Sequence, residues 1–198
     1  MAANTYLTSG ERTLLESVRV GIAGAGGLGS NCAMHLVRSG VKHITIADFD
    51  VVNESNLNRQ FFFRDQIGQN KVEALKANLL RIEPDADSRA VDIRLDASSA
   101  REIFADCGIV VEAFDAVDAK VMLVSAFASS GKKLVTASGL AGWGRSNAMR
   151  VRKMGSIVAI GDGETSVGDG AAPVSPRVGI AAAMQANAVV SLLLGCEP

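Results

Sequence analysis

An apolar run that leads directly into a cluster of glycines decides the fold: residues 18–29 read VRVGIAGAGGLG. The run has the length of a buried strand, and residues 30–39 then place apolar side chains at helical spacing before Gly40, a residue type that often ends helices. A second apolar segment, residues 43–47, follows and ends at Asp48. Strand, glycine turn, helix and strand in this order predict a βαβ unit with two parallel strands.

The same alternation continues along the chain. Further strands are predicted over residues 90–95, 108–113 and 133–136, and further helices over residues 11–17, 68–82, 98–104 and 119–130. Strands that alternate with helices predict a mostly parallel sheet with helices on both of its faces, which is the α/β, Rossmann-like fold class.

The pattern changes in the C-terminal third of the chain. Residues 147–153 and 156–160 flank a Met-Gly turn and predict a hairpin, and hence antiparallel strands at one edge of the sheet. The polar, glycine-rich stretch 161–175 predicts a mobile, solvated loop, and the final helix is expected to run from Pro176 to just before Gly195. The predicted single domain, residues 1–198, has three parts: an N-terminal helix (1–17), a Rossmann-like core (18–138) and this irregular part (139–198).

Composition excludes several classes of protein. A chain of 198 residues with 48% hydrophobic residues can bury the core of one compact domain. A formal net charge of −1 argues against a general nucleic-acid-binding protein, which carries a basic excess. The N-terminal residues show no basic region before an apolar run, and polar residues interrupt the most apolar stretch, 178–194, so neither a signal peptide nor a membrane span is predicted. The three cysteines are far apart and form no Cys-x-x-Cys pair, which predicts a reducing cytoplasm and no zinc site.

The glycine cluster is the first candidate binding element. Gly24, Gly26 and Gly29 satisfy the pattern G-x-G-x-x-G, and here the pattern lies between a predicted strand and a predicted helix. The N–H groups at a helix N-terminus bind phosphate, and a Cβ atom in the turn would obstruct the approach of the phosphate. This context favours a nucleotide-binding turn over a purely structural one, with candidate residues Gly24, Gly26, Gly27, Leu28 and Gly29.

Asp48 is the second candidate element. It ends the strand after the glycine turn, 19 residues beyond Gly29, where a carboxylate accepts hydrogen bonds from ribose hydroxyls. These two elements alone fit an NAD-dependent oxidoreductase equally well. Such an enzyme also needs a substrate domain, for which 198 residues leave little room.

A polar, non-periodic segment favours a triphosphate ligand. Residues 48–60 read DFDVVNESNLNRQ, and Lys71 lies at the start of the next helix. At the C-terminal edge of the sheet, Asn56, Arg59 and Lys71 can face the glycine turn and neutralise a triphosphate, whereas a pyrophosphate needs fewer cations. Asp115, beyond the fourth strand, reaches the same edge and is a candidate Mg²⁺ ligand.

These motifs together resemble the ThiF/MoeB/HesA family of ubiquitin-activating-type adenylyltransferases, over residues 18–136. The stretch SNLNRQ, residues 55–60, is far more specific to that family than the glycine pattern. The resemblance implies ATP-dependent adenylation of the C-terminal glycine carboxylate of a ThiS-like ubiquitin-fold sulfur carrier, in the synthesis of the thiazole of thiamine. It also implies Mg²⁺ as a cofactor and a homodimer. A molybdopterin-type carrier is the nearest variant, and the sequence does not separate the two carriers.

The resemblance also implies a role for each site residue. The backbone of the glycine turn would cradle phosphates, Asp48 would bind ribose, and Asn56 and Arg59 would hold the phosphates. Lys71 would stabilise charge around the α-phosphate, and Asp115 would bind Mg²⁺. The implied catalytic residues are Arg59, Lys71 and Asp115, and the implied nucleotide-binding residues are Gly24, Gly26, Gly27, Leu28, Gly29, Asp48, Asp50, Asn56, Arg59 and Lys71.

Departures from the family pattern shape the remaining expectations. The two Cys-x-x-Cys zinc motifs of the family are absent, so we expect no zinc. Residues 144–175 contain no cysteine, which favours adenylation without a covalent step. Arg12 is a candidate for the family's N-terminal arginine. A non-catalytic subunit that pairs with an active one is a second alternative, and the presence of Arg59, Lys71 and Asp115 argues against it.

Three further features have simpler interpretations. Trp143 either lines the groove for the tail of the carrier or packs against the domain, and neither interpretation is preferred. Asp118 and Lys120 are interpreted as charges that cap and decorate a helix surface. Asp162 is interpreted as part of a solvated turn.

Overall fold

One seven-stranded sheet forms the centre of the chain in the computed structural model, which describes residues 6–166 and 170–198. In chain order, the strands are β1 (Arg19–Ala23), β2 (His43–Asp48), β3 (Asp87–Asp92), β4 (Ile109–Glu112), β5 (Lys133–Ala137), β6 (Arg150–Met154) and β7 (Ile157–Gly161). The α-helices within the described residues are α1 (Ser9–Ser17), α2 (Gly27–Arg38), α3 (Lys71–Ile82), α4 (Ala97–Ile103), α5 (Val117–Phe127) and α6 (Ser175–Leu193). The strands lie side by side in the order β3-β2-β1-β4-β5-β7-β6.

This arrangement confirms the predicted α/β, Rossmann-like fold class. Every neighbouring pair of strands is parallel except β6 and β7. Helices α1, α2, α3 and α6 contribute to the core on one face of the sheet, and α4 and α5 to the core on the other face. Because β1 is covered on both faces, all five of its residues are buried, which explains its nearly continuous apolar sequence.

The predicted hairpin and its antiparallel pair of strands at one edge of the sheet are confirmed. Strands β6 and β7 pair antiparallel around Gly155, whose φ is +61°. Strand β7, however, lies between β5 and β6 and runs parallel to β5. Among the described strands, only the outermost one, β6, therefore runs antiparallel to the others. After β5, residues 138–149 lead to β6 at the edge of the sheet, and the hairpin then places β7 between β6 and β5.

Strand β3 shows the largest difference from its predicted boundaries, residues 90–95. The prediction followed the alternating apolar side chains of Val91, Ile93 and Leu95, which do pack against the second core. The strand nevertheless begins earlier, because the Asp87 N–H donates to the Lys42 carbonyl at 2.9 Å. Apolar side chains pack against the core beyond the end of the hydrogen-bonded strand, so a prediction from the apolar pattern placed the strand three residues too late.

The final helix, α6, confirms its predicted position, and a proline lies in its first turn. The predicted mobile loop falls partly on residues 167–169, which lie outside the described residues. Over the two described ranges, no helix combines the length and the apolar character that crossing a bilayer requires.

A cluster of charges closes the N-terminal end of the sheet. Arg19 is buried and forms ion pairs with Asp87 and with Asp106, whose carboxylate lies 3.3 Å from Arg19 Nε. The hydrogen bond from the Arg19 guanidinium, opposed by burial and assisted by His43, holds the pKa of Asp87 below its ordinary value.

The substitution Asp87→Asn is expected to reduce the sensitivity of the fold to acid. A carboxyl group whose pKa is lowered by folding stabilises the native state above its unfolded pKa of about 4, and this contribution disappears as the pH falls through the folded pKa. Urea unfolding at several values between about pH 6 and pH 3, which includes the range in which aspartate titrates, measures how the free energy of unfolding depends on pH. The wild type should lose more stability than Asp87→Asn below about pH 4, and parallel losses would contradict the assignment.

Candidate nucleotide-binding site

The glycine turn closes tightly around its own backbone. Gly24 follows β1 with φ = +101°, a conformation that residues with a side chain rarely adopt, and its N–H donates to the Ala47 carbonyl at 2.8 Å. A Cβ atom on Gly29 would lie 1.8 Å from the Gly24 oxygen, and one on Gly24 would lie 2.9 Å from the Ala113 oxygen. The turn therefore requires glycine at both positions.

Helix α2 begins inside the glycine cluster, at Gly27, whereas the sequence predicted its start at residue 30. The first N–H groups of a helix have no acceptor within it, so those of Gly27, Leu28 and Gly29 point toward the space in front of the turn. Apart from its chain neighbours, a Cβ atom on Gly26 would meet nothing nearer than the Gln60 amide nitrogen, at 3.9 Å. This open helix N-terminus is suited to a phosphate group.

Asp48 ties the end of β2 to the glycine turn. One carboxylate oxygen accepts the Ala25 N–H at 2.6 Å, and the other accepts the Asp50 N–H at 2.8 Å. The side chain is half-buried at the C-terminal edge of the sheet. The structure thus places the Asp48 carboxylate beside the turn, and its contact with a ribose stays a prediction.

Lys71 and Asp50 extend this connection. Lys71 Nζ lies 2.7 Å from Asp50 Oδ2, and the Lys71 N–H donates to the Asp50 carbonyl at 2.9 Å. The side chain of Lys71 is 7% exposed, whereas that of Asp50 is 48% exposed. Asp50 therefore binds the buried ammonium from the side that faces solvent. Lys71 and Asp50 were both expected to bind nucleotide, and here Asp50 fixes the position of the Lys71 ammonium.

Arg59 and Asn56 lie in the segment that crosses in front of α2. The Asn31 amide of α2 donates to the Arg59 carbonyl at 2.8 Å and to the Gly27 carbonyl at 2.7 Å, which fixes this segment to the first turn of the helix. A Cβ atom on Gly27 would lie 3.6 Å from Arg59 Cγ, so the stem of Arg59 covers the glycine turn. Asn56 accepts the Asn53 N–H through its side chain at 3.0 Å and shapes the loop.

Asp115 leaves the sheet next to the glycine turn. The Ala113 N–H donates to the Ala23 carbonyl at 2.9 Å, which extends the pairing of β4 with β1. The Phe114 ring lies 3.4 Å from where a Cβ atom of Gly24 would be. Asp115 itself is exposed. The chain therefore brings Asp115 to the same edge as the turn, as the strand order predicts.

Asp115 is the single candidate Mg²⁺ ligand that the sequence predicted. Within the described ranges, no three His, Cys, Asp or Glu side chains are grouped so that they could hold a metal ion. Mg²⁺ commonly takes one or two protein carboxylates and completes its shell with phosphate oxygens and water. Asp115 could serve as such a carboxylate once a triphosphate is bound.

Gln60 supplies a further sign that the turn accommodates a polar ligand. Its side chain is buried, and in the part of the chain that the structure describes its Oε1 has no hydrogen-bond partner. Its Nε2 faces the space beside Gly26. A buried carbonyl oxygen without a partner is costly, and because it accepts hydrogen bonds, only a donor such as a hydroxyl group or a water molecule would satisfy it. The sequence showed Gln60 only as part of a motif.

A buried network at the end of β4 was missed from the sequence. Glu112 is fully buried, and its carboxylate lies 3.0 Å from Lys120 Nζ on α5. The interpretation of Lys120 as a surface charge that decorates a helix is therefore wrong, because its ammonium points inward to this carboxylate. The available signal was an acidic residue inside an otherwise apolar strand, but no sequence pattern identifies its partner.

The interpretation of Asp162 as a solvated residue is also wrong. Asp162 and Arg177 are both buried and form an ion pair. Burial alone would raise the pKa of the Asp162 carboxyl, but the N–H groups of Thr165 and Glu164, the Thr165 hydroxyl and the Arg177 guanidinium hold it below its ordinary value. Polar residues in a glycine-rich stretch gave no indication of this burial.

Trp143 lies in the loop that Arg177 holds. Arg177 Nη1 donates to the Gly144 carbonyl at 2.5 Å, and the adjacent Trp143 is 75% exposed. The alternative in which Trp143 packs against the domain therefore does not describe this structure. Its contact with the tail of a carrier stays a prediction.

Comparisons with known proteins place these features in a family. The sequence profile described as "ThiF family" matches residues 3–198. "Adenylyltransferase and sulfurtransferase UBA4" of Eremothecium gossypii is 35% identical over 127 residues, which are 64% of this chain and 29% of that protein. "Molybdopterin-synthase adenylyltransferase" of Salmonella typhimurium is 36% identical over 110 residues, which are 55% of this chain and 44% of that protein.

The fold also matches solved structures. The E. coli tRNA N6-threonylcarbamoyladenosine dehydratase TcdA, in complex with AMP, superposes with a TM-score of 0.86 at 20% identity, covering 94% of this chain and 90% of that chain. At this identity the likeness shows the fold. The chain spans less than half of the length of the two relatives above. Because the profile covers nearly the whole sequence, this chain belongs to the ThiF family.

Proposed function

We propose that this chain is an ATP-dependent adenylyltransferase that activates the C-terminal glycine carboxylate of a ubiquitin-fold sulfur carrier. The observation that carries the proposal is the position of two cationic side chains at the turn. The stem of Arg59 lies over Gly27 while its Nη1 donates to Ser55 and Asn58 of its own loop, and Lys71 is connected to the turn through Asp50 and Asp48. Two cations and a helix N-terminus suit three phosphates. Both matched relatives are named as adenylyltransferases, which supports adenylation as the reaction.

The proposed reaction is an in-line displacement at phosphorus. A carboxylate oxygen of the carrier attacks the α-phosphorus of ATP, the bond to the pyrophosphate oxygen breaks, and an acyl-adenylate forms. Negative charge moves onto the departing pyrophosphate, so the protein contributes positioning and charge neutralisation. Lys71 would stabilise the α-phosphate, Asn56 and Arg59 would hold the other phosphates, and Asp48 would accept hydrogen bonds from the ribose hydroxyls.

Asp115 is the proposed ligand of Mg²⁺. The ion, when bound, would neutralise charge on the phosphate oxygens. Asp115 is exposed and directly follows Phe114, whose ring lies against Gly24, so its carboxylate would be one protein ligand of the ion. This arrangement leaves the other coordination positions to phosphate and water.

Two of the three cysteines, Cys32 and Cys107, are unsuited to a covalent step, whereas Cys196, near the end of the chain, is exposed. Burial raises the pKa of Cys32 to about 12. Burial and the Asp106 carboxylate raise the pKa of Cys107 to about 11. Neither residue therefore offers a thiolate near neutral pH, which is the form that attacks. Both are free and buried, which also supports a reducing compartment, and we propose the cytoplasm.

The proposed carrier is ThiS-like, which would place the reaction in thiazole synthesis. The proposal rests on the family resemblance, and a molybdopterin-type carrier is its nearest competitor because one matched relative is named for molybdopterin synthase. We further propose a homodimer, for which Phe63 and Ile67, each 44% exposed, offer apolar surface beside the site loop.

Exchange of labelled pyrophosphate into ATP tests the proposal. The protein is mixed with ATP, Mg²⁺ and either a ThiS-like or a molybdopterin-type carrier, and we expect the ThiS-like carrier to stimulate exchange. Stimulation only by the other carrier would correct the carrier assignment. No exchange with either carrier, together with a saturable change in NADH fluorescence on titration, would favour the NAD-dependent oxidoreductase instead.

A further inference from the structure

The buried network around Glu112 connects four elements at the end of β4. Glu112 has no exposed surface, and its carboxylate accepts from Lys120 Nζ at 3.1 and 3.0 Å and from the Thr136 hydroxyl. Lys120 Nζ also donates to the Ala137 carbonyl at the end of β5, at 3.0 Å. From α6, the Gln185 amide donates to the Glu112 carbonyl at 2.9 Å. The network thus joins β4, β5, α5 and α6.

The same carboxylate fixes the turn that leads to Asp115. Glu112 Oε1 accepts the Phe114 N–H at 2.7 Å, so the chain curls back on the last residue of β4. The next residue is Asp115, and the Phe114 ring rests against Gly24. The position of Asp115 relative to the glycine turn therefore depends on where the Glu112 carboxylate is held.

Lys120 supplies the positive charge that permits this carboxylate to be buried. A fully buried carboxylate without a counter-charge is unfavourable, and the structure relaxes by admitting water or by moving the group. Either change would remove the fixed acceptor for the Phe114 N–H. The Lys120 side chain is 21% exposed, and it reaches Glu112 from the first turn of α5.

We propose that Lys120, acting through Glu112, is a positioning residue that sets the place of Asp115 and so the affinity of the site for the metal–triphosphate. This inference rests on the proposed function, because it assigns Asp115 to Mg²⁺. Groups that orient a metal ligand without touching the metal typically change metal affinity or activity by about 10–100-fold when they are removed.

The test compares Lys120→Met with the same substitution at Lys132, which lies just before β5 and therefore at the opposite end of the strands. Lys132 Nζ donates to the carbonyls of Ala105 and Cys107 at 2.8 and 2.7 Å, before the start of β4 and away from Asp115. Lys132→Met therefore removes backbone-directed lysine bonds without touching the network. Lys120→Arg keeps the positive charge but in a larger, planar group, so it should keep more of the Mg²⁺-dependent affinity than Lys120→Met.

Two measurements that need no carrier show the effect. Calorimetric titration with a non-hydrolysable ATP analogue, with and without Mg²⁺, gives the gain in affinity that Mg²⁺ confers. We expect the factor by which Mg²⁺ raises the affinity for the analogue to be about tenfold smaller in Lys120→Met than in the wild type, and unchanged in Lys132→Met. Amide hydrogen exchange of the protein without nucleotide should show faster exchange at Phe114 in Lys120→Met alone.

The comparison with Asp115→Asn makes the inference specific. If Lys120 acts through Asp115, the double variant should lose no more of the Mg²⁺-dependent affinity than Asp115→Asn alone. A wild-type gain from Mg²⁺ and wild-type exchange at Phe114 in Lys120→Met would overturn the inference. If that variant does not fold, Lys120→Gln, which can still donate to Glu112, takes its place in the same comparison. A wild-type protein that binds no ATP analogue would instead refute the proposed function.

Discussion

Lys71→Met is expected to slow carrier-dependent pyrophosphate exchange by about 10²–10³-fold, which is the loss typical of removing one group that stabilises developing charge. The ammonium of Lys71 is buried and held 2.7 Å from Asp50 Oδ2, so it is already oriented before a nucleotide arrives. Methionine keeps the apolar stem of the side chain and removes only its charge. The remaining Asp50 carboxylate is half-exposed and stays hydrated, so the fold should tolerate the change.

Lys76→Met is the matched control for this prediction. Lys76 lies on the same helix, α3, but five residues further on and therefore on a different side of it. We expect this variant to keep the exchange rate of the wild type. A loss in Lys76→Met equal to that in Lys71→Met would show that charge on the helix in general, and not the placement of Lys71, affects the rate.

Arg177→Met is expected to lower the free energy of unfolding by about 3–5 kcal/mol, because it leaves a buried carboxylate without its partner. Arg177 and Asp162 are 2% and 4% exposed, and Arg177 also supplies the hydrogen bond to the Gly144 carbonyl. The pair joins the start of α6 to the end of β7 and to the loop of Trp143. Urea unfolding near pH 7 measures the loss.

Arg152→Met separates the ion pair from a simple hydrogen bond at the same place. Arg152 is exposed and donates to the Asp162 carbonyl at 3.1 Å. Its removal should lower the free energy of unfolding by only about 1 kcal/mol, the usual net value of one hydrogen bond. Similar losses in the two variants would contradict a special contribution from the buried pair.

The predictable part of the fold is the part that local pattern controls. The run before Gly24 is apolar because β1 is buried on both faces, and the glycines are required because a Cβ atom on Gly29 would meet the Gly24 oxygen. Both requirements act within a few residues of sequence. The βαβ unit, the helix positions and the hairpin around Gly155 followed from such local signals.

The unpredicted part depends on contacts between distant residues. Glu112 at the end of β4 meets Lys120 on α5, and Asp162 meets Arg177, which is 15 residues away in the sequence. Each residue taken alone has the character of a surface charge, and only the folded arrangement buries it beside its partner. The place of β7 inside the sheet has the same origin, because the order of strands depends on where residues 138–149 cross.

In the candidate site, too, the sequence indicated individual residues but not the long-range contacts that hold them. The sequence predicted Asp48 and Asp115 from their places at the ends of strands, and Arg59 and Lys71 from the polar segment and the helix start that follow β2. The role of each residue came from the family resemblance. The sequence did not show that Asp50 holds Lys71, or that Glu112 holds the turn before Asp115. Those relations concern how functional groups are supported, and they arise from tertiary packing.

Pyrophosphate exchange with two forms of one carrier tests the central claim most directly, namely that the site activates a C-terminal glycine carboxylate with ATP. An intact ThiS-like carrier should raise the exchange of labelled pyrophosphate into ATP well above the level of the protein alone, and the same carrier without its terminal glycine should not. Exchange that is equal with the intact carrier, with the shortened carrier and with no carrier would contradict the account.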